Sequence, residues 1–322
     1  MDDSDYHIIN LFQTGSYRAS LSAYSALENP SPLLTLYAAR SNLALIPPNI
    51  NQAQTLLSNL DDQDFNVRAI KGLSLYLASI EDEQAKTQIV SDLEDVLAEL
   101  GEQGLDESTD EGRFVRGTVA TVFLLEQDEQ RREEGVEILR EAVELGQDQE
   151  CLGILTHLYI SLGLASRAQT LLSSPSITSF TSDSLLSQLL TARTSLATGP
   201  KQRYEQAFYV YEELRGMQGG REEGTLSGVC VSEATLGRWD EAVTATAQAL
   251  ELNPGHATSL ANFIALARHY VPPRDATTEP LTVERAYATL QQVDPTHPFL
   301  LDLADKDALF DTAASKFGVQ AA

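Results

Sequence analysis

Apolar residues recur three and four positions apart along most of the chain, and no segment alternates long enough to compete as a strand. The clearest stretch is 225–254, TLSGVCVSEATLGRWDEAVTATAQALELNP, which predicts two antiparallel helices joined by a tight turn. Leu226, Val229, Cys230 and Ala234 make the inner face of the first helix. Gly237 stands where that helix must stop, because a left-handed C-terminal residue is cheap only for glycine. Asp240 and Glu241 open the second helix, where carboxylates suit the positive end of the dipole. Ala242, Thr246, Ala249 and Leu250 form its inner face, and Pro254 ends it by removing a backbone donor. Small side chains at Ala242 and Ala249 let the two helices cross closely.

Glycine, aromatic, two alanines and a closing proline fall at these places in the 34-residue tetratricopeptide (TPR) pattern. One such pair cannot bury its own apolar face, so further copies are required. LYISLGLASRA repeats the step with Gly163 and Ala168, five apart like Gly237 and Ala242. QTGSYRASLSAYSAL gives Gly15 and Tyr17, followed by Tyr24 and Leu27, and YEQAFYVYEEL sets Tyr204 and Tyr211 around Ala207. Further pairs are expected at 5–14 with 17–27, 33–46 with 50–60, 65–80 with 84–100, and 114–125 with 131–145. Others follow at 151–163 with 165–172, 185–197 with 204–217, and 257–270 with 283–293. A last helix at 298–317 is expected to cap the array with a more polar outer face. The segments 101–112, 173–182 and 271–280 read as connectors, rich in glycine and acids, in serine, and in proline respectively. The prediction is an all-α, TPR-like α-solenoid of antiparallel pairs, one domain over 1–322, curled into a closed spiral or bracelet. Stacked repeats grow along one axis, so the length alone does not force a second domain.

Composition narrows the function classes. Hydrophobic residues make up 43% of the 322, ample for burial. A formal charge of −25 argues against a nucleic-acid surface and against direct docking on anionic lipid, both of which need clustered Lys and Arg. It suits a partner with a basic surface, and equally a solvated exterior that aids solubility. Cys151 and Cys230 both fall inside helical patterns and read as small core residues of a reducing compartment, not a disulfide. The acidic start lacks the basic-then-apolar form of a signal peptide, and no run approaches the ~18 apolar residues of a membrane span. A cytoplasmic location is expected.

No catalytic chemistry is legible. His7, His157, His256, His269 and His297 are scattered without a second ligand at zinc spacing. The stretch 216–220 lacks the lysine and preceding strand of a phosphate loop, and there is no G-x-S-x-G elbow. Trp239 reads as a core plug. The expectation is no enzyme, no cofactor and no metal. Recognition remains, and in helix-pair arrays the first helix of each pair lines the concave side. The repeat frame puts Glu150, Gly153, His157 and Ile160 there in the fifth pair, and Gly224, Ser227, Val231 and Ala234 in the seventh. Lysines and asparagines that would grip a peptide carboxylate, as in co-chaperone TPR domains, are missing from these places.

More specific pieces are SLATG (195–199) with QAFYVYEEL (206–214), GRWDEA (237–242), HPFLLDLADKDALFD (297–311), GSY (15–17) and VRAIKGLSLYLA (67–78). Through them nearly the whole chain resembles the epsilon subunit of coatomer, the coat of COPI vesicles. The segments 101–112 and 271–280 are longer than that pattern. The resemblance implies a non-enzymatic coat subunit whose repeats curl around an element of the alpha subunit's C-terminal domain, and through it join the other coatomer subunits. It implies support for coat assembly in retrograde Golgi-to-ER and intra-Golgi transport. The protein would then be peripheral on Golgi membranes and COPI vesicles, with membrane contact only through the coat. The alternative is a generic TPR adaptor of a chaperone or another multiprotein complex.

Overall fold

A computed structural model of the protein describes residues 3–79, 81–103, 112–182, 184–217, 219–269 and 281–317. Those residues form eighteen α-helices and one 3-10 turn, with no strand among them. In order they are α1 (Asp3–Gln13), α2 (Tyr17–Ser25), α3 (Pro32–Ala44), α4 (Ile50–Leu57), α5 (Phe65–Ala78) and α6 (Glu83–Glu102). Next come α7 (Val115–Leu125), α8 (Glu129–Glu144), α9 (Gln149–Ser161), α10 (Ala165–Leu172), α11 (Pro175–Thr181) and α12 (Leu185–Thr198). The last are α13 (Lys201–Gly216), α14 (Glu223–Thr235), α15 (Trp239–Leu252), α16 (Ala257–Leu266), α17 (Val283–Val293) and α18 (Pro298–Ser315).

Local chemistry fixes the boundaries. Asp64 accepts from the Asn66 and Val67 amides at the start of α5, and Asp148 does the same for Glu150 and Cys151 at α9. Ser31 caps α3 directly before Pro32, whose missing amide costs nothing at that place. Three helices end alike. Gly15, Gly163 and Gly237 take φ of +84°, +72° and +78°. Each glycine amide bonds the carbonyl three residues back, and the next amide reaches five back: Ser16 to Leu11, Leu164 to Tyr159, Arg238 to Glu233. These are Schellman closures, which require a left-handed residue.

Behind each turn the following helix lies close because its inner residue is small. Ala168 and Ala242 are fully buried, and Ala249 is buried one face-turn further along α15. Thr246 fills the remaining space on α15, donating to the Ala242 carbonyl and contacting Cys230 Sγ at 2.9 Å. Burial pushes the Cys230 thiol up, so it stays protonated and inert.

Two expectations need correction. The serine-rich stretch 173–182 is not a plain connector: Pro175 starts α11, which buries Ile177 and Thr181. Trp239 is not a core plug, being 38% exposed and stacked flat on His269 with centroids 4.5 Å apart. Most of 101–112 and all of 271–280 lie outside the described residues, although α6 runs on to Glu102.

Contacts group the chain into two compact units, Met1–Gly220 and Arg221–Ala322. In the first, the core is handed from pair to pair: Tyr37, Leu57 and Ile70 lie in one cluster, Leu93, Val119 and Val122 in the next, Leu139, Leu152 and Leu155 in a third. Each such fully buried aliphatic side chain contributes about 1.5–3 kcal/mol. In the second unit, α14 to α17 pack in sequence, and Leu260, Ala286, Leu290 and Leu300 share a core. The last helix carries exposed charges at Asp302, Asp305, Lys306, Asp307 and Asp311 beside exposed apolar residues. Of α18 only Leu300 is buried, while Leu301, Leu309 and Phe310 are exposed, as is Phe317 beyond it.

Candidate partner-binding face

In the first unit the leading helices of the pairs stack in series, α1 on α3, α3 on α5, α5 on α7, α7 on α9 and α9 on α12. The series closes, because α12 returns to α1. Closure brings together residues more than a hundred positions apart. Arg40 on α3 donates to Glu150 Oε2 on α9 at 2.6 Å, and Tyr37 donates to Oε1 at 2.8 Å. The guanidinium lies between the rings of Phe12 on α1 and Phe114 before α7, 4.5 and 4.4 Å from their centroids. Phe114 is held in turn by its amide, which donates to the side chain of buried Asn66 at 2.9 Å. Four inner helices or their ends therefore converge on one ion pair.

Electrostatics explain why that carboxylate stays charged. Burial alone would push Glu150 up, but the Arg40 guanidinium, with help from the Tyr37 hydroxyl, holds it below the ordinary carboxylate value. Burial also pushes the Tyr37 and Tyr17 hydroxyls up, the latter partly offset by Arg193 and Arg40. Arg193 on α12 faces Tyr211 as well, where burial raises the hydroxyl and the arginine pulls it back. The inner face of this unit is thus aromatic, with the Arg40 charge neutralised by Glu150 and Arg193 standing near Tyr17, His157 and Tyr211.

The residues expected on the concave side occupy different environments. Glu150 is committed to Arg40 and Tyr37. Gly153 lies near Leu186, about 3.9 Å from where a Cβ would stand. His157 reaches solvent from α9, yet the protein around its ring, together with the nearby Arg193 charge, lowers its pKa, so it is neutral at pH 7. Ile160 is half-buried on the same helix. In the second unit Ser227 is buried and accepts from Asn262 at 2.9 Å, so it serves α14–α16 packing. Gly224 is exposed, and Val231 and Ala234 are half-buried. Arg40, Tyr37, Phe12, Phe114 and Arg193 were missed by pattern reading. The one signal for them was Arg40 itself, a lone charge inside the apolar run LLTLYAARSNLALI.

Comparison with known proteins decides between a coat subunit and a generic adaptor. The family described as coatomer epsilon subunit matches residues 1–318. The chain belongs to that family. Among solved structures, the crystal structure of the APC/C hetero-tetramer Cut9-Hcn1 shares the fold, with a TM-score of 0.51 at 11% identity. That alignment covers 92% of this chain and 53% of the other, so the chain spans about half that protein's length, and the likeness concerns fold alone. Membership makes the chain a coatomer subunit of the kind used in COPI vesicle transport. The family is that of a subunit of a vesicle coat. The family's place is the cytoplasmic coat on Golgi membranes, and no helix among the described residues is long and apolar enough to cross a bilayer.

Proposed function

We propose that the chain is a non-enzymatic epsilon subunit that binds the C-terminal domain of the alpha subunit and supports coat assembly for retrograde Golgi-to-ER and intra-Golgi transport. It needs no cofactor, binds no nucleic acid, and meets the membrane only through the coat. The observation that carries the reading is the family match over 1–318. Closure of the inner helices supports it physically, because a ring held by a buried ion pair is preorganised and loses little entropy on binding. Gly153, His157 and Ile160 in the first unit and Gly224, Val231 and Ala234 in the second are the contact residues of this reading. None carries a formal charge at neutral pH, so recognition rests on burial more than on charge.

The test is titration of the purified alpha C-terminal domain into the chain at low and high salt. Val231→Arg and Ile160→Arg each bring a charge into the interface, and an unpaired buried charge costs about 2–5 kcal/mol. Each should weaken binding more than tenfold with the helical spectrum unchanged, and salt should matter less. Binding that collapses with salt yet tolerates both arginines would move the interface to the acidic exterior.

A further inference from the structure

Arg193 stands on α12 seven residues after Leu186, four after Leu189 and three after Leu190. At helical spacing these four share one face, so the arginine continues a buried leucine stripe to the point where it meets solvent. Gly153, His157 and Ile160 make a corresponding stripe on α9. The two stripes adjoin: Leu186 lies 3.9 Å from where a Gly153 Cβ would stand, and the Arg193 charge acts on His157 one turn further along α9. Tyr17 at the start of α2 and Tyr211 on α13 also feel that charge, and Tyr211 hydrogen-bonds the arginine. These three neighbours, an imidazole and two phenols, are all neutral at pH 7. Arg193 enters no ion pair among the described residues.

Arg40, on the same inner face, is treated differently by the fold, which sets Glu150 2.6 Å from it. Water serves Arg193 instead, and that suffices only while the face is free. A partner that covers His157 and Ile160 must take water from Arg193 as well, because the three share one patch. A guanidinium stripped of water without a counter-charge opposes binding, whereas one that meets a carboxylate gains a bidentate pair in fixed geometry.

We propose that the alpha subunit's C-terminal domain presents one Asp or Glu side chain to Arg193, as a single ion pair within an otherwise uncharged contact. The inference rests on the alpha-subunit reading above and adds to it the chemistry of one contact point. Apolar burial supplies the affinity and the pair fixes the register. An enclosed pair is screened little, so salt dependence stays weak.

Calorimetric titration of the purified alpha C-terminal domain into the full chain tests it. Wild-type binding is expected, and its absence would overturn the alpha-subunit reading and this inference together. Arg193→Met should weaken binding about tenfold or more, Arg193→Glu further still, and Arg193→Lys less than either, because it keeps the charge. Arg167→Glu makes the same change of net charge as Arg193→Glu at an exposed position of α10, and should leave affinity within about twofold of wild type. Reversing one acidic residue of the alpha domain to arginine should restore binding to Arg193→Glu while weakening binding to the wild type. Wild-type affinity in Arg193→Met and Arg193→Glu, or rescue by none of the acid reversals, would overturn the carboxylate assignment and leave alpha-subunit binding standing. So would a urea midpoint of the free chain lowered as far by Arg193→Met as by Glu150→Ala, because the arginine's charge would then already be engaged within the fold.

Discussion

At the residue scale the turn glycines and small inner alanines were readable, because each answers a local geometric need. Gly237 at φ +78° has nothing within 4 Å of where a side-chain Cβ would stand, so space is not the constraint there. Gly237→Val should therefore cost about 1–2 kcal/mol from backbone strain alone. Ala242→Leu overpacks a fully buried crossing and should cost about 1–3 kcal/mol. Both are checked by urea unfolding, as lowered midpoints with unchanged slope. Glu150 was placed on the concave side from the repeat frame, but its partners come from closure at separations of 110 and 113 residues, which periodicity cannot show. Glu150→Ala strands the Arg40 guanidinium and should cost about 3–5 kcal/mol, whereas Arg40→Met with Glu150→Leu should cost far less. The carboxyl's folded pKa is held below its unfolded value, so its contribution is complete above the ordinary carboxylate range and is lost as pH falls through the folded value. Stability of the wild type should accordingly drop more steeply below about pH 4 than that of Glu150→Gln.

At the element scale, long periodic helices were legible and short or composition-biased ones were not. Segment 173–182 has the serine content of a loop, yet Pro175 at the first helical position and Ile177 at an inward one suffice for a seven-residue helix. Tertiary contact decides it, since α11 rests on α8 and α10 and its Ile177 joins the core of α8, α9 and α12. Ile177→Ala should cost about 2–5 kcal/mol if α11 is that plug, and a surface loop would lose almost nothing. Urea unfolding of the variant separates the two. Trp239 shows the opposite error. Its place in the repeat suggested burial, but it begins α15, where the side chain finds His269 instead of a neighbouring inner helix.

At the scale of the whole molecule, sequence periodicity reveals an array but not how its stability is partitioned. Each repeat of a solenoid couples mainly to its neighbours, so one continuous array over 1–322 need not unfold as one cooperative block. Contacts divide the chain at Gly220, and the closure of α12 onto α1 is confined to the first unit. The Arg40–Glu150 pair therefore stabilises the first unit directly. Trp239 is the chain's one tryptophan and lies in the second, so its fluorescence reports that unit, while far-ultraviolet circular dichroism reports every helix. Glu150→Ala should shift the main dichroism transition to lower urea by an amount matching about 3–5 kcal/mol and leave the tryptophan transition nearly where it was. If both transitions move together by the same amount, the array is a single cooperative unit, and loss of one buried ion pair in the first half is felt in full by the second.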